Sequence, residues 1–393
     1  VYNSNAIITL ESNLTNTYNY FIECCENVSQ RITNNSNAII SLSDCCDLVG
    51  YISDATISNS QNIYNIQLQL NTIDHGPSNI HIDTTTTLSF NIYLGDAPDY
   101  EHKLYIHGGA PVTLDGSGRY VHFARDAVNE LLIVDDNTTL ILENIVLKDF
   151  LPRYVDLGTN SDIIFGDGTT IEIGEDFEFS VAGLSTLKFE GNVILNGYGH
   201  QLKICPVDNA IQVAAGANLI IENTRLEGLR DYNVRCLGPN AGITYKNDIL
   251  VLCNDYTFSD GTIEFYQDVT IKGKDHAFIY KSPELSEIKS DATLLVDRDV
   301  EFRYDAGNSD RNETSKTAFV LEDDSSVWYL NGCSLTTTRT GLKIEQGTVV
   351  INDKVQIVSG AIYDPEALEI MNAVDVRVLG GATVDVYGII NLE

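Results

Sequence analysis

The chain has 393 residues and carries 24 Lys and Arg against 56 Asp and Glu, which gives a net charge of −32 at pH 7. This excess of negative charge repels nucleic acid and anionic membrane surfaces, so neither is expected as a partner. No apolar run reaches the roughly 18 residues that a membrane-spanning helix needs. The length is sufficient for one domain with a large buried core.

The first hundred residues are poor in Gly and rich in Asn, Ser and Thr. Within them the pattern of Asn3–Leu10 returns almost unchanged as Asn35–Leu42, and both copies suit an extended strand. We therefore predict a β-rich N-terminal region over residues 1–100. Three interpretations stay open, namely a cap, an assembly element, or irregular first coils of the structure that follows.

Two pairs of adjacent cysteines lie in this region, Cys24-Cys25 and Cys45-Cys46. Adjacent side chains of a strand point to opposite faces, so each thiol can reach its own partner, and we predict disulfides. A four-thiolate metal site is disfavoured because zinc sites typically place two to four residues between paired cysteines. Reduced thiols or intermolecular pairing remain as alternatives. Cys333, by contrast, falls on an inward position and is predicted to be a small buried apolar residue.

A short phrase recurs along the rest of the chain. A small polar residue opens it, and in seven copies apolar residues follow at offsets one, three, seven and nine, whereas the copies from Thr139 and Asn218 have a turn shorter by one residue. The nine copies open at Thr139, Thr170, Thr186, Asn218, Thr262, Thr293, Ser326, Thr348 and Thr383. The two-residue alternation predicts two short strands, and the Gly, Asn or Asp between them predicts a tight corner. A third alternating segment precedes most copies, at 163–165, 211–213, 319–321, 342–344 and 376–378.

Three strands and three corners make one turn of a parallel β-solenoid, in which equivalent strands stack about 4.8 Å apart. We predict nine such coils. A sandwich of hairpins is disfavoured, because the Asn-Gly dipeptide that tight hairpins prefer occurs only at 196–197 and 331–332. Helical periodicity is nearly absent, and one or two helical turns are predicted at Asp126–Leu131 and Asp364–Ile370.

Two segments carry a family resemblance. Val193–Leu202, with its Asn-Gly-Tyr-Gly-His turn, and Val112–Gly118 resemble turns of the right-handed parallel β-helices in the pectin-lyase-like superfamily. The resemblance covers roughly residues 100–393 and implies an all-β fold, a right-handed parallel β-helix over residues 101–393. It leaves activity open, because the superfamily holds polysaccharide lyases and hydrolases, phage tailspikes, adhesins and autotransporter passengers.

Candidate catalytic groups are few. The acidic candidates are Asp135-Asp136, Asp167, Glu175-Asp176 and Asp323-Asp324. Each lies at a predicted corner, where Asp is a common turn former, so we interpret them as structural. A polygalacturonase-like hydrolase is matched only by isolated Asp-Asp pairs and by Tyr198-Gly199-His200. We therefore predict no catalytic residues, no metal site and no cofactor. The alternative is that the carboxylates bind Ca²⁺.

The ninth phrase runs to Leu392 with no covering helix or loop in the sequence given. Exposed strand edges invite pairing with another chain, so we predict an assembly edge formed by Val384, Val386, Ile389, Ile390 and Leu392.

The expected protein is a non-enzymatic subunit of a cell-surface filament or appendage that polymerises end to end. It starts at Val1 and holds one Met, as a secreted product without its leader or an excised fragment would. The alternatives are an adhesin or passenger that binds a host surface or glycan and, less favoured, a polysaccharide lyase or hydrolase.

Overall fold

The structure is a computed structural model. It describes residues 79–392, with gaps at 96–101, 126, 180–183, 206, 274, 307–315, 361–365 and 372, together with residues 16, 19, 20 and 22. The chain divides into two compact units, Val1–Ile66 and Gln67–Glu393, and the elements below belong to the second unit.

The elements described in the second unit are strands and one short 3-10 helix. The first strands are β1 Ile80–Ile82, β2 Thr86–Thr87, β3 Ile92–Leu94, β4 Leu104–Ile106, β5 Val112–Phe123, β6 Leu132–Val134, β7 Thr139–Phe150, then the 3-10 helix Pro152–Tyr154, β8 Val155–Leu157, β9 Asp162–Phe165, β10 Thr170–Ile173, β11 Phe177–Glu178, β12 Leu187–Phe189, β13 Asn192–Asn196, β14 Gln201–Lys203, β15 Ile211–Val213, β16 Asn218–Glu222, β17 Arg225–Leu229 and β18 Val234–Cys236. They continue as β19 Gly242–Lys246, β20 Ile249–Leu252, β21 Tyr256–Phe258, β22 Thr262–Tyr266, β23 Asp268–Lys272, β24 His276–Tyr280, β25 Ser286–Ile288, β26 Thr293–Val296, β27 Val300–Tyr304, β28 Phe319–Leu321, β29 Val327–Asn331, β30 Ser334–Thr337, β31 Leu342–Ile344, β32 Thr348–Asn352, β33 Lys354–Ser359, β34 Glu366–Ile370, β35 Asp375–Val378, β36 Thr383–Tyr387 and β37 Ile389–Leu392.

The strands form a parallel β-solenoid of about 12 turns. Every strand pairing in the described part is parallel, and from β9 onward nearly every strand pairs with the third strand after it. Each coil therefore contributes three strands, one to each face, as predicted. The hairpin sandwich is excluded for these residues, and the predicted count of nine coils is wrong.

Side chains alternate between the interior and the surface. A three-residue strand such as β12 buries its first and third side chains and leaves the second near solvent. Equivalent inward positions of successive coils hold similar residues, so Phe165 stacks on Phe189 with ring centroids 5.5 Å apart and Tyr280 stacks on Tyr304 at 5.8 Å. The interior is thus a continuous column of aliphatic and aromatic side chains.

Corners are made by residues that accept a positive φ, as predicted. Asn223 and Asn247 have φ of 52° and 57° on consecutive coils, and the Asn247 amide donates a hydrogen bond of 2.8 Å to the Asn223 side-chain oxygen. Asn tolerates this left-handed conformation better than most residues and can also hydrogen-bond along the stack.

Two local predictions need comment. The helical turn predicted at Asp364–Ile370 is wrong where it is described, because Glu366–Ile370 form strand β34, and residues 127–131 contain no helical turn either. The predicted N-terminal region of residues 1–100 overlaps the described solenoid, since β1 pairs with β4 and β3 with β5. Residues 1–78 lie outside the described residues apart from the four named above.

No helix in the described part of the chain has the length and apolar character that a membrane crossing requires.

Candidate assembly edge

The last described coil consists of β35, β36 and β37, and each is the terminal strand of its sheet. On one side these strands pair with β32, β33 and β34. Their other edges have no strand partner among the described residues. Three parallel strand edges, one per face of the solenoid, therefore present backbone donors and acceptors in one layer.

The inward side chains of this coil are much more exposed than their equivalents one coil earlier. Val386 is 42% exposed and Leu392 71%, whereas their register partners Ile357 and Ile370 are 1% and 7% exposed. Val384 and Ile390 are half-buried against the core. Among the described residues, nothing covers the interior column of the solenoid at this coil.

The structure changes the membership of the predicted edge at three positions. Ile389 is exposed, but it lies opposite Glu366 in the register, so it does not continue an inward column. Val376 and Val378 do, because they lie over the buried Val349 and Ile351. Their strand was predicted from its alternation, but its position in the terminal layer follows only from the register.

Charges on this coil are paired. The Arg377 guanidinium lies 2.6 Å from the Asp375 carboxylate, and Lys354 of the preceding coil lies 2.9 Å from Asp385. The bond to Asp385 raises the pKa of the Lys354 ammonium. These ion pairs are surface exposed, so they add little stability, but they neutralise carboxylates that would otherwise repel an approaching acidic chain.

The predicted disulfide residues Cys24, Cys25, Cys45 and Cys46 lie outside the described residues, and the prediction stays open. The prediction for Cys333 is confirmed, since its side chain is buried and burial raises the pKa of its thiol to about 12. It therefore remains protonated and unreactive at neutral pH.

The acidic candidates at the corners bind the neighbouring coil. Asp167 accepts a hydrogen bond of 2.7 Å from the Asn192 backbone N–H, and Asp176 accepts one of 2.8 Å from that of Gln201. The Glu175 carboxylate pairs with Arg153. Backbone donors hold these carboxylates in place, as the structural interpretation of the corners expects.

The two remaining acidic pairs are arranged similarly. Asp136 accepts a hydrogen bond of 2.5 Å from the Thr159 backbone N–H, whereas its neighbour Asp135 faces His107. Asp323 accepts hydrogen bonds from the Ser290 and Ser325 hydroxyls, which lower the pKa of its carboxyl to about 2.

His200 has a partner that the sequence did not reveal, because its Nδ1 lies 3.2 Å from the Asp176 carboxylate one coil earlier. Within the described ranges no group of three or more His, Cys, Asp or Glu is arranged to hold a metal ion.

A cleft of about 520 Å³ lies along one corner of the solenoid. Asp299, Gly332 and Asp353 are corner residues there on successive coils, and Arg298 reaches past Gly332 to pair with Asp353. Its lining is polar and its carboxylates belong to the corner stack. The apolar wall typical of small-molecule sites is largely missing from it.

No protein-family model matches the chain, and neither a curated protein nor a solved structure shows significant similarity to it.

Proposed function

We propose that the protein is a non-enzymatic structural subunit that polymerises end to end through the last described coil, as part of an extracellular filament or appendage. The observation that carries the proposal is a set of three strand edges that have no strand partner among the described residues, around apolar side chains that are exposed at this coil. Such a surface is a template for further strands, and natural sheet proteins cover or charge it when association is not wanted.

The geometry of this edge fits another solenoid coil as its binding partner better than an isolated strand. β35, β36 and β37 are the three sides of one coil, so only a ligand that supplies three parallel strands at the same spacing pairs with all of them. A second copy of this chain carries such coils. The strand pattern of Asn3–Leu10 returns at Asn35–Leu42, so the sequence predicts that the N-terminal region of the second copy supplies the added strands.

Burial supplies the free energy of association. Val376, Val378, Val386 and Leu392 are each between 39% and 71% exposed, and a covering coil would bury them as their partners one coil earlier are buried. Full burial of a Val or Leu side chain contributes about 1.5–3 kcal/mol. Partial burial of four such groups contributes roughly 3–6 kcal/mol, and new backbone hydrogen bonds add to it against the cost of lost translational and rotational freedom.

The charge distribution favours contacts between the ends of two copies over contacts between their sides. A net charge of −32 makes lateral contacts between copies repulsive, whereas Asp375 and Asp385 of the last described coil are paired with basic side chains. Such a heterologous contact does not close on itself and propagates into a fibre. The abundance of Tyr, Asn and Thr suits the extracellular location that we propose.

The first test is the state of association of the full chain. We expect light scattering and analytical ultracentrifugation to show growth with concentration and negative-stain microscopy to show unbranched filaments. A monodisperse monomer at every concentration would contradict the proposal and favour a monomeric adhesin.

The second test places a charge on the edge. Val386→Lys would put an ammonium group into the apolar centre of the contact, at a cost of about 2–3 kcal/mol, so the critical concentration should rise roughly 30- to 150-fold. The matched control is Val128→Lys, because Val128 is 88% exposed and lies away from the last coil. Circular dichroism checks that both variants remain folded. An equal loss of assembly in both variants would show that the edge of the last described coil does not control polymerisation.

A further inference from the structure

Two histidines at the other end of the described solenoid lie side by side on consecutive coils. His81 is the outward residue of β1 and is exposed, and it lies opposite Tyr105 of β4. His107 follows β4, and its backbone N–H donates to the Ile82 carbonyl. The two imidazole rings are parallel to within 8°, and His81 Nδ1 lies 2.7 Å from His107 Nε2.

A carboxylate on the third coil fixes the tautomer of this pair. Asp135 Oδ2 lies 2.6 Å from His107 Nδ1, so that nitrogen carries the proton and donates it. In the neutral ring, His107 Nε2 is then a lone-pair nitrogen that accepts a hydrogen bond from His81 Nδ1. The result is a chain of two imidazoles ending on a carboxylate, with the His107 lone pair aimed at its neighbour.

We propose that His81 Nδ1 and His107 Nε2 together bind a divalent transition-metal ion of borderline softness, such as Zn²⁺ or Ni²⁺. Neighbouring ligands at metal–nitrogen distances of about 2.0–2.1 Å lie roughly 2.9–3.4 Å apart, depending on the coordination angle. The observed 2.7 Å is therefore a few tenths of an ångström short of that span. With the ring centroids 5.1 Å apart, the two nitrogens face each other along one line, so the exposed His81 ring must swing aside before both lone pairs converge on one ion.

The surroundings support a metal in three ways. A metal-bound His commonly donates its other N–H to a carboxylate, which is the role of Asp135. The His107 and Asp135 side chains are 34% and 45% exposed, so an ion reaches them from solvent. The chain's strong negative charge concentrates cations near its surface.

Two protein ligands leave the remaining positions to water, which makes this a readily exchanging site. Binding moves the His81 proton from Nδ1 to Nε2 through solvent. Neutral imidazoles therefore release no net proton to the solution, whereas protonated ones must lose theirs.

The probe is Ni²⁺ alone, added to the full chain prepared without an oligohistidine tag and with accessible thiols alkylated. We expect paramagnetic broadening of the His81 and His107 ring signals in nuclear magnetic resonance before those of other histidines. Calorimetry should show His81→Ala and His107→Ala each lowering the affinity at least about tenfold, and Asp135→Asn lowering it about tenfold.

The matched controls are His200→Ala and Asp176→Asn. His200 contacts Asp176 much as His107 contacts Asp135, but the described residues place no second imidazole beside it. Both variants should leave Ni²⁺ affinity within about twofold of the parent. Parental affinity in His107→Ala, or broadening that begins at other histidines, would overturn the proposal. Because this site is remote in sequence from β35–β37, its failure would leave the assembly proposal unaffected.

Discussion

Individual carboxylates hold neighbouring coils together through hydrogen bonds. Asp323 illustrates this, because its oxygens accept hydrogen bonds of 2.7 Å from Ser290 Oγ, of 2.6 Å from Ser325 Oγ and of 2.8 Å from the Ser325 backbone N–H. Ser290 belongs to the preceding coil, so the side chain ties two layers together. The sequence identified this residue as a corner former, but it could not identify the donor 33 residues away.

The Asp323 bonds predict a specific dependence of stability on pH. The hydrogen bonds favour the charged form and lower the folded-state pKa from 3.8 to about 2. The contribution of Asp323 is therefore complete above the unfolded-state value and is lost as pH falls through the folded-state value. We expect Asp323→Asn to lower the melting temperature at pH 6 and to approach the parent as pH falls toward 2.

Thermal melts monitored by circular dichroism between pH 2 and pH 7 test this expectation, with Asp324→Asn as a control one residue along the same corner. A difference between parent and Asp323→Asn that stays constant down to pH 2 would mean that the carboxylate charge is not what stabilises the corner.

At the scale of strands, the prediction that the repeated phrase forms two consecutive strands is correct for every copy except that from Thr139, which lies within the single long strand β7. Thr170 opens β10 and β11, Thr293 opens β26 and β27, and Thr383 opens β36 and β37. These copies nevertheless start on different faces, since β10, β26 and β36 belong to three different sheets. Every face has the same inward–outward alternation, so the phrase does not mark one position per coil. That is why nine phrases were mistaken for nine coils.

The pair of His81 and His107 shows the complementary limit. Neither residue belongs to a linear motif, and 26 positions separate them. Only the register between β1 and β4, which depends on the lengths of the intervening corners, brings the rings together. A sequence pattern predicts which residues point outward, but it does not predict which outward residues become neighbours.

Corner geometry predicts an unequal response of two glycines to the same substitution. A Cβ atom on Gly191, between β12 and β13, would lie 2.3 Å from the Asp167 backbone nitrogen. Gly380, between β35 and β36, has nothing within 4 Å of that position. Because backbone atoms cannot move aside without displacing a coil, Gly191→Ala should cost about 1–3 kcal/mol, and Gly380→Ala should be nearly neutral.

Urea unfolding followed by circular dichroism compares the two glycine variants with the parent. Similar midpoints for Gly191→Ala and the parent would indicate that the corner has room to relax, contrary to the close approach described.

At the scale of the whole solenoid, stability is expected to be a sum of local terms. Each coil packs on the coils before and after it, and no strand of the described part pairs across a distance of many coils. Arrays of this kind behave as nearest-neighbour systems, in which one region can open while a distant one stays folded. Composition and periodicity were enough to predict this architecture, since they specify stacked strands around one apolar column.

Cavities in distant coils should therefore have separate effects. Phe302 is fully buried and packs against Phe278, Phe319 and Trp328 at ring-centroid distances of 5.7, 5.2 and 5.1 Å. Its replacement by Ala should cost about 3–5 kcal/mol, because the surrounding rings relax only partly into the space. We expect hydrogen–deuterium exchange read by mass spectrometry to accelerate in β24–β30 and to stay near the parental rate in β5–β10.

The reciprocal variant, Phe165→Ala, removes a buried ring from a distant coil and should accelerate exchange around β7–β12 while sparing β24–β30. Equal acceleration along the whole solenoid in both variants would mean that the coils unfold as one cooperative unit, and the nearest-neighbour description would then be wrong.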